Sequence, residues 1–130
     1  MSEFLRKEIY MKLNPECIRS ILLFVEDNVD FSHILTYSSD DIPESLSCYS
    51  HDEIVYHISQ CKQSNLLAGV HFYDGGTTVA ISDLTPSGHE FLANIRNDSI
   101  WSKVLSKGVG ASIPVLLELA KDLALKHFLG

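Results

Sequence analysis

The chain has 130 residues, 45% hydrophobic and 21% charged, with 10 lysines and arginines against 17 aspartates and glutamates for a net charge of -7. That is enough chain to bury one real core, and it is too apolar for a disordered protein. No stretch approaches the roughly 18 apolar residues of a membrane span, and the Met1-Ser2-Glu3-Phe4-Leu5-Arg6-Lys7 terminus lacks the features of a signal peptide.

Residues 1–10 stand apart from the rest of the chain. Lys7-Glu8-Ile9-Tyr10 can be encoded by a bacterial ribosome-binding sequence just upstream of the Met11 codon. Met11 is therefore a candidate start with residues 1–10 as a translated leader, and a genuine N-terminal arm is the competing reading. Asn14-Pro15-Glu16 then opens a helix: an N-cap acceptor, a proline suited to the first turn and an acid facing the positive end of the dipole. Ile18, Ile21, Leu22 and Val25 recur at helical spacing and give it a buried face that ends near Asn28. Residues 29–49 read as turns or a short helix, anchored by Ile34, Leu35, Ile42 and Leu46. Ser50-His51-Asp52-Glu53 matches a capping box, and Ile54, Ile58 and Cys61 carry a second helix to about Asn65.

Two runs rich in apolar and β-branched residues, 67–73 and 77–84, flank Asp74-Gly75-Gly76, which predicts a β-hairpin. Thr85-Pro86 caps a helix carrying Phe91, Leu92 and Ile95, and Asp98 caps another carrying Ile100, Trp101, Val104 and Leu105. Ser112 starts a last helix whose Leu116, Leu119, Ala120 and Leu123 form an apolar stripe, widened by Leu117, Ala124 and Phe128. A hairpin directly after the second long helix predicts an α+β, mainly α fold: a winged helix-turn-helix over residues 11–96, extended by C-terminal helices over 97–130. Those last helices pack on the domain or form a dimer interface through residues 112–128.

Leu84-Thr85-Pro86-Ser87-Gly88 resembles the strand-to-helix junction that follows the wing in many bacterial winged-helix proteins. Gly88 is poor for a helix start and makes sense where another element packs closely. Three stretches together resemble an uncharacterised bacteriophage and prophage family catalogued as a domain of unknown function. They are Met11 through Arg19, the Tyr49-Ser50 helix with Tyr56-His57, and Gly88-His89-Glu90-Phe91-Leu92 running into Asp98-Ser99-Ile100-Trp101. The resemblance implies a phage origin and a winged-helix fold, and it transfers no site.

Function is read from charge and from clusters. Between Arg19 and Lys62 there is no lysine or arginine, while Glu26, Asp27, Asp30, Asp40, Asp41, Glu44, Asp52 and Glu53 all fall there. A solvated face explains this, and so does a footprint for a basic partner, with Asp40, Asp41, Glu44, Asp52 and Glu53 as the contact set. The alternative is DNA, read by residues 50–65 through His51, Tyr56, His57, Gln60, Lys62 and Gln63. Against it, phosphate contacts need cations. This helix carries one lysine, at its far end, and the wing tip presents Asp74 and no cation.

Cys48, His51, His57 and Cys61 have spacings that merit a test as a zinc site, yet Cys61 continues a core face. Cys17, Cys48 and Cys61, odd in number and scattered, read as reduced thiols in a reducing compartment, which the phage resemblance implies is the cytoplasm of a bacterial host. Ser87-Gly88-His89-Glu90 has suggestive residue types, but neighbours at a helix start cannot form a serine–histidine–acid relay. The expectation is a non-enzymatic protein without metal or cofactor. It would bind a host protein with a basic surface, such as a defence nuclease.

Overall fold

The structure, a computed structural model, describes residues 12–130. The leader reading of residues 1–10 lies outside the described residues.

Helix α1 (Pro15–Asn28) begins where its local signals place it. Asn14 Oδ1 accepts from the backbone N–H groups of Glu16 and Cys17, and Pro15 sits in the first turn. Its inner face buries Cys17, Ile18, Ile21, Leu22 and Val25. The next segment holds a strand rather than only turns: β1 (Leu35–Ser38) buries Leu35 and Tyr37 in alternation. Ile34, expected as an anchor, is 62% exposed because it shares the outward parity of exposed Thr36 rather than the inward one of Leu35 and Tyr37. A short 3-10 turn, Glu44–Leu46, buries Leu46. Helix α2 (His51–Gln63) comes next, with the Ser50 hydroxyl accepting from Glu53 N–H at 3.1 Å.

The hairpin forms, but each run is split in two. Strands β2 (Leu67–Ala68) and β5 (Asp83–Leu84) pair at its base, and β3 (His71–Tyr73) and β4 (Thr78–Ile81) pair toward its tip. The break falls at Gly69, where φ is 62° and Ser82 leaves no room for a Cβ. Strand β4 is the centre of an antiparallel sheet ordered β1-β4-β3, with Leu35 opposite Ile81 and Ser38 opposite Thr78.

Helix α3 (Pro86–Ile95) is capped by Thr85, whose hydroxyl accepts from Gly88 N–H at 2.9 Å and donates to Asn65 O at 2.6 Å. Helix α4 (Asp98–Lys107) is capped by Asn97 rather than Asp98: Asn97 Oδ1 accepts from Ile100 N–H, and Asp98 occupies the first helical turn. Helix α5 (Ile113–Leu129) closes the chain. Ile100, Trp101, Val104, Leu116, Ala120 and Leu123 join the same apolar cluster as α1 and the sheet, so residues 97–130 are docked on the preceding elements. The fold is α+β, mainly helical, with small antiparallel sheets. No helix among the described residues is long and apolar enough to cross a membrane.

Candidate functional site

Two contacts assemble one acidic end of the molecule. Tyr37, at the close of β1, shares a 2.8 Å hydrogen bond between its hydroxyl and His51 Nδ1, and the two rings stack 8° from parallel. That holds the end of β1 against the first turn of α2, where Asp52 is exposed. One residue beyond β1, Ser39 N–H donates to Thr77 O at 2.9 Å, which sets the Asp40–Asp41 turn beside the hairpin tip and its Asp74. Asp40, Asp41, Asp52 and Asp74 thus come from distant parts of the chain to one end, and Glu44, three residues after Asp41, is exposed on the 3-10 turn. Glu53 is the exception: half-buried, it faces α1 and accepts from Asn14 Nδ2 at 3.5 Å.

Among the described residues none of Asp40, Asp41, Glu44, Asp52 and Asp74 is held in an ion pair. The basic groups that do pair do so elsewhere. Arg96 meets Glu26 at 2.6 Å, which holds the Glu26 carboxyl below its usual range through that hydrogen bond. Arg19 meets Asp98 at 3.4 Å and stacks over Trp101, whose indole N–H donates to Glu16.

The DNA-reading set fares unevenly. Lys62 and Gln63 are exposed, Tyr56 and Gln60 are half-buried, and His51 is engaged by Tyr37. His57, expected from sequence to face solvent, is instead wholly buried. Its Nδ1 donates to Glu53 O at 2.7 Å and its Nε2 accepts from Asn14 N–H at 2.8 Å. These bonds fix a neutral tautomer, and burial pushes its pKa below the ordinary value, partly offset by the bond to Glu53. The signal is present in the spacing: Ile54, His57, Ile58 and Cys61 fall at i, i+3, i+4 and i+7 of one helical face.

The hairpin tip folds onto α2 rather than splaying away from it. Gly76 is buried at φ 92°, where a Cβ would press on Val55 Cγ1 at 3.3 Å. Between tip and helix lies a cleft of roughly 260 Å³ lined by Val55, Tyr56, Ser59, Phe72, Gly75 and Gly76.

The other constellations do not converge. Among the described residues no three His, Cys, Asp or Glu side chains gather at metal-binding spacing. Cys61 is in the core, where burial pushes its thiol pKa up to about 12, while Cys48 is exposed. His89 faces Asp83 at 3.8 Å, and Gly88 is pressed under the Leu66 carbonyl. On α5, Leu125, Phe128 and Leu129 are 50%, 68% and 80% exposed and border a groove of about 230 Å³ against α3.

Against known proteins, a family model described as a hypothetical protein (DUF2513) matches residues 12–111. An uncharacterized protein of Haemophilus influenzae (strain Rd) is 27% identical over 115 residues, which cover 88% of this chain and 92% of the relative. No solved structure matches.

Proposed function

The chain belongs to this DUF2513 family, and from that premise we propose that it is a non-enzymatic binding protein, a winged helix whose acidic end docks on a basic protein surface. The winged-helix reading is supported by the order α1, β1, α2, β3, β4 and by a sheet in which β1 pairs with the second strand of the hairpin. The observation that carries the binding reading is the meeting at the wing end of four aspartates without an ion-pair partner among the described residues, with Glu44 exposed three residues after Asp41 and no lysine or arginine between Arg19 and Lys62. A basic partner gains fast, steered association from such a field. A phage-encoded inhibitor or adaptor acting on a nucleic-acid-handling host protein is the concrete form of this proposal.

The alternative, a transcriptional regulator, draws on the same fold, with α2 as recognition helix. It has to place Asp52 and Asp74 against phosphate and loses His57 to the core. A second copy is a further proposed partner, through the exposed Leu125, Phe128 and Leu129 on α5.

Affinity capture from the bacterial cell in which the chain occurs tests the favoured reading, using wild type beside the triple charge reversal D40K/D41K/E44K. Retention of a basic protein by wild type and its loss with the reversal is expected. Equal retention by both sinks the proposal.

A further inference from the structure

The cleft between α2 and the wing tip gives the acidic end a shaped feature as well as a charge. Its floor is the Val55–Gly76 contact, its aromatic surface comes from Tyr56 and Phe72, and Ser59 adds a hydroxyl. It is shallow and opens broadly to solvent, and its roughly 260 Å³ has room for a single long side chain. Asp52 lies on the same helical face as Val55 and Tyr56, three and four residues on, while Asp74 adjoins Gly75. Neither carboxylate has an ion-pair partner among the described residues. Phe72 already receives a cation: Lys62 Nζ sits 5.7 Å from its ring centre.

We propose that this cleft receives an arginine side chain of the basic partner, stacked on Tyr56 with its guanidinium directed to the Asp52 and Asp74 carboxylates. Arginine is favoured over lysine because a planar guanidinium both stacks on an aromatic face and forks to carboxylates, whereas a compact, strongly hydrated ammonium does neither as well. The pinned wing serves this role. Gly76 brings the tip within contact of Val55 and keeps the cleft formed before the partner arrives, so little ordering cost remains at binding.

The inference rests on the proposed binding of a basic protein, and its test separates the two. The uniformly ¹⁵N-labelled full chain is titrated with hexa-arginine, hexa-lysine and hexa-citrulline peptides at low salt, following backbone amide shifts. Saturable shifts at Tyr56, Phe72, Gly75 and Gly76 with hexa-arginine are expected, several-fold weaker with hexa-lysine and absent with the neutral citrulline peptide. Replacement of Tyr56 by leucine, or the D52N/D74N pair, each lowers hexa-arginine affinity roughly fivefold, with amide spectra elsewhere confirming an intact fold. Equal affinity for arginine and lysine peptides, or shifts confined to Asp40, Asp41 and Glu44, overturns the cleft proposal and leaves the acidic-surface reading standing. No shift with any peptide overturns both.

Discussion

Replacing Gly88 with alanine reverses the effect that helix propensity alone predicts. Gly88 lies in the first turn of α3, and its missing Cβ is the reason the helix can sit directly over the Leu66 carbonyl. A Cβ there would land on that oxygen well inside contact distance, with the carbonyl carbon at 3.2 Å and Thr85 Oγ1 at 3.4 Å. The obstacle is backbone, so Leu66 has to retreat by roughly 1 Å to restore normal separation. That movement strains two hydrogen bonds, Thr85 N–H to Leu66 O at 3.0 Å and Thr85 Oγ1 to Asn65 O at 2.6 Å. Overpacking costs about 1–3 kcal/mol and the two bonds about 1 kcal/mol each, against about 1 kcal/mol returned by alanine propensity. The net loss is about 2–4 kcal/mol, a fall in Tm of roughly 6–15 °C for a chain of this size. Thermal unfolding followed by far-UV circular dichroism measures it. An unchanged or raised Tm in Gly88→Ala refutes the close approach of α3 to the 65–66 segment.

Stability should also fall with acid through His57. Its folded pKa is depressed below 6.5 by burial, so its contribution is complete above pH 6.5 and is lost as pH falls through the folded value. Melts between pH 8 and pH 5.5 are expected to show that decline in wild type and a flatter profile in His57→Phe. The phenylalanine variant starts about 1–3 kcal/mol lower because Asn14 N–H loses its acceptor; an identical slope in both proteins would assign the acid sensitivity to other groups. Alkylation under native conditions should label Cys48 alone, with Cys17 and Cys61 reacting only on unfolding, since burial closes both and raises both thiol pKa values. Rapid native labelling of a second thiol, read by mass spectrometry, would contradict the packing of α1 on α2. Replacing both Phe128 and Leu129 by serine should abolish any self-association seen by sedimentation at high concentration while leaving Tm nearly unchanged, because both side chains are mostly exposed. A dimer that survives the substitution uses another face.

The helices are legible in the sequence because their signals are local. Asn14 with Pro15, Ser50 with Glu53, and Thr85 with Pro86 each set a helix start within four residues. Gly88 announces a close neighbour without naming it, and the neighbour is a backbone carbonyl rather than a strand or helix. Strand β1 is not legible: its four residues are Leu35-Thr36-Tyr37-Ser38, and the β4 partner that makes them a strand lies 40 to 46 positions away. The break at Gly69 has only a lone glycine to signal it, inside an apolar run that otherwise reads as one continuous strand. For the acidic end, sequence supplies the charges, and it marks Asp74 only as a wing-tip charge unfavourable to DNA. The place of Asp74 beside Asp40 and Asp41 depends on the Ser39–Thr77 hydrogen bond, a tertiary contact that no local pattern encodes.

The most direct test of the central claim is fluorescence anisotropy of labelled duplex DNA with the purified protein, from about 50 mM salt to physiological ionic strength. Wild type is expected to show no DNA binding even at the lowest salt, and D40K/D41K/E44K measurable, salt-sensitive binding once the repelling field is inverted. Wild-type binding that persists at physiological salt and falls steeply as salt rises would contradict that claim and make the chain a DNA-binding regulator.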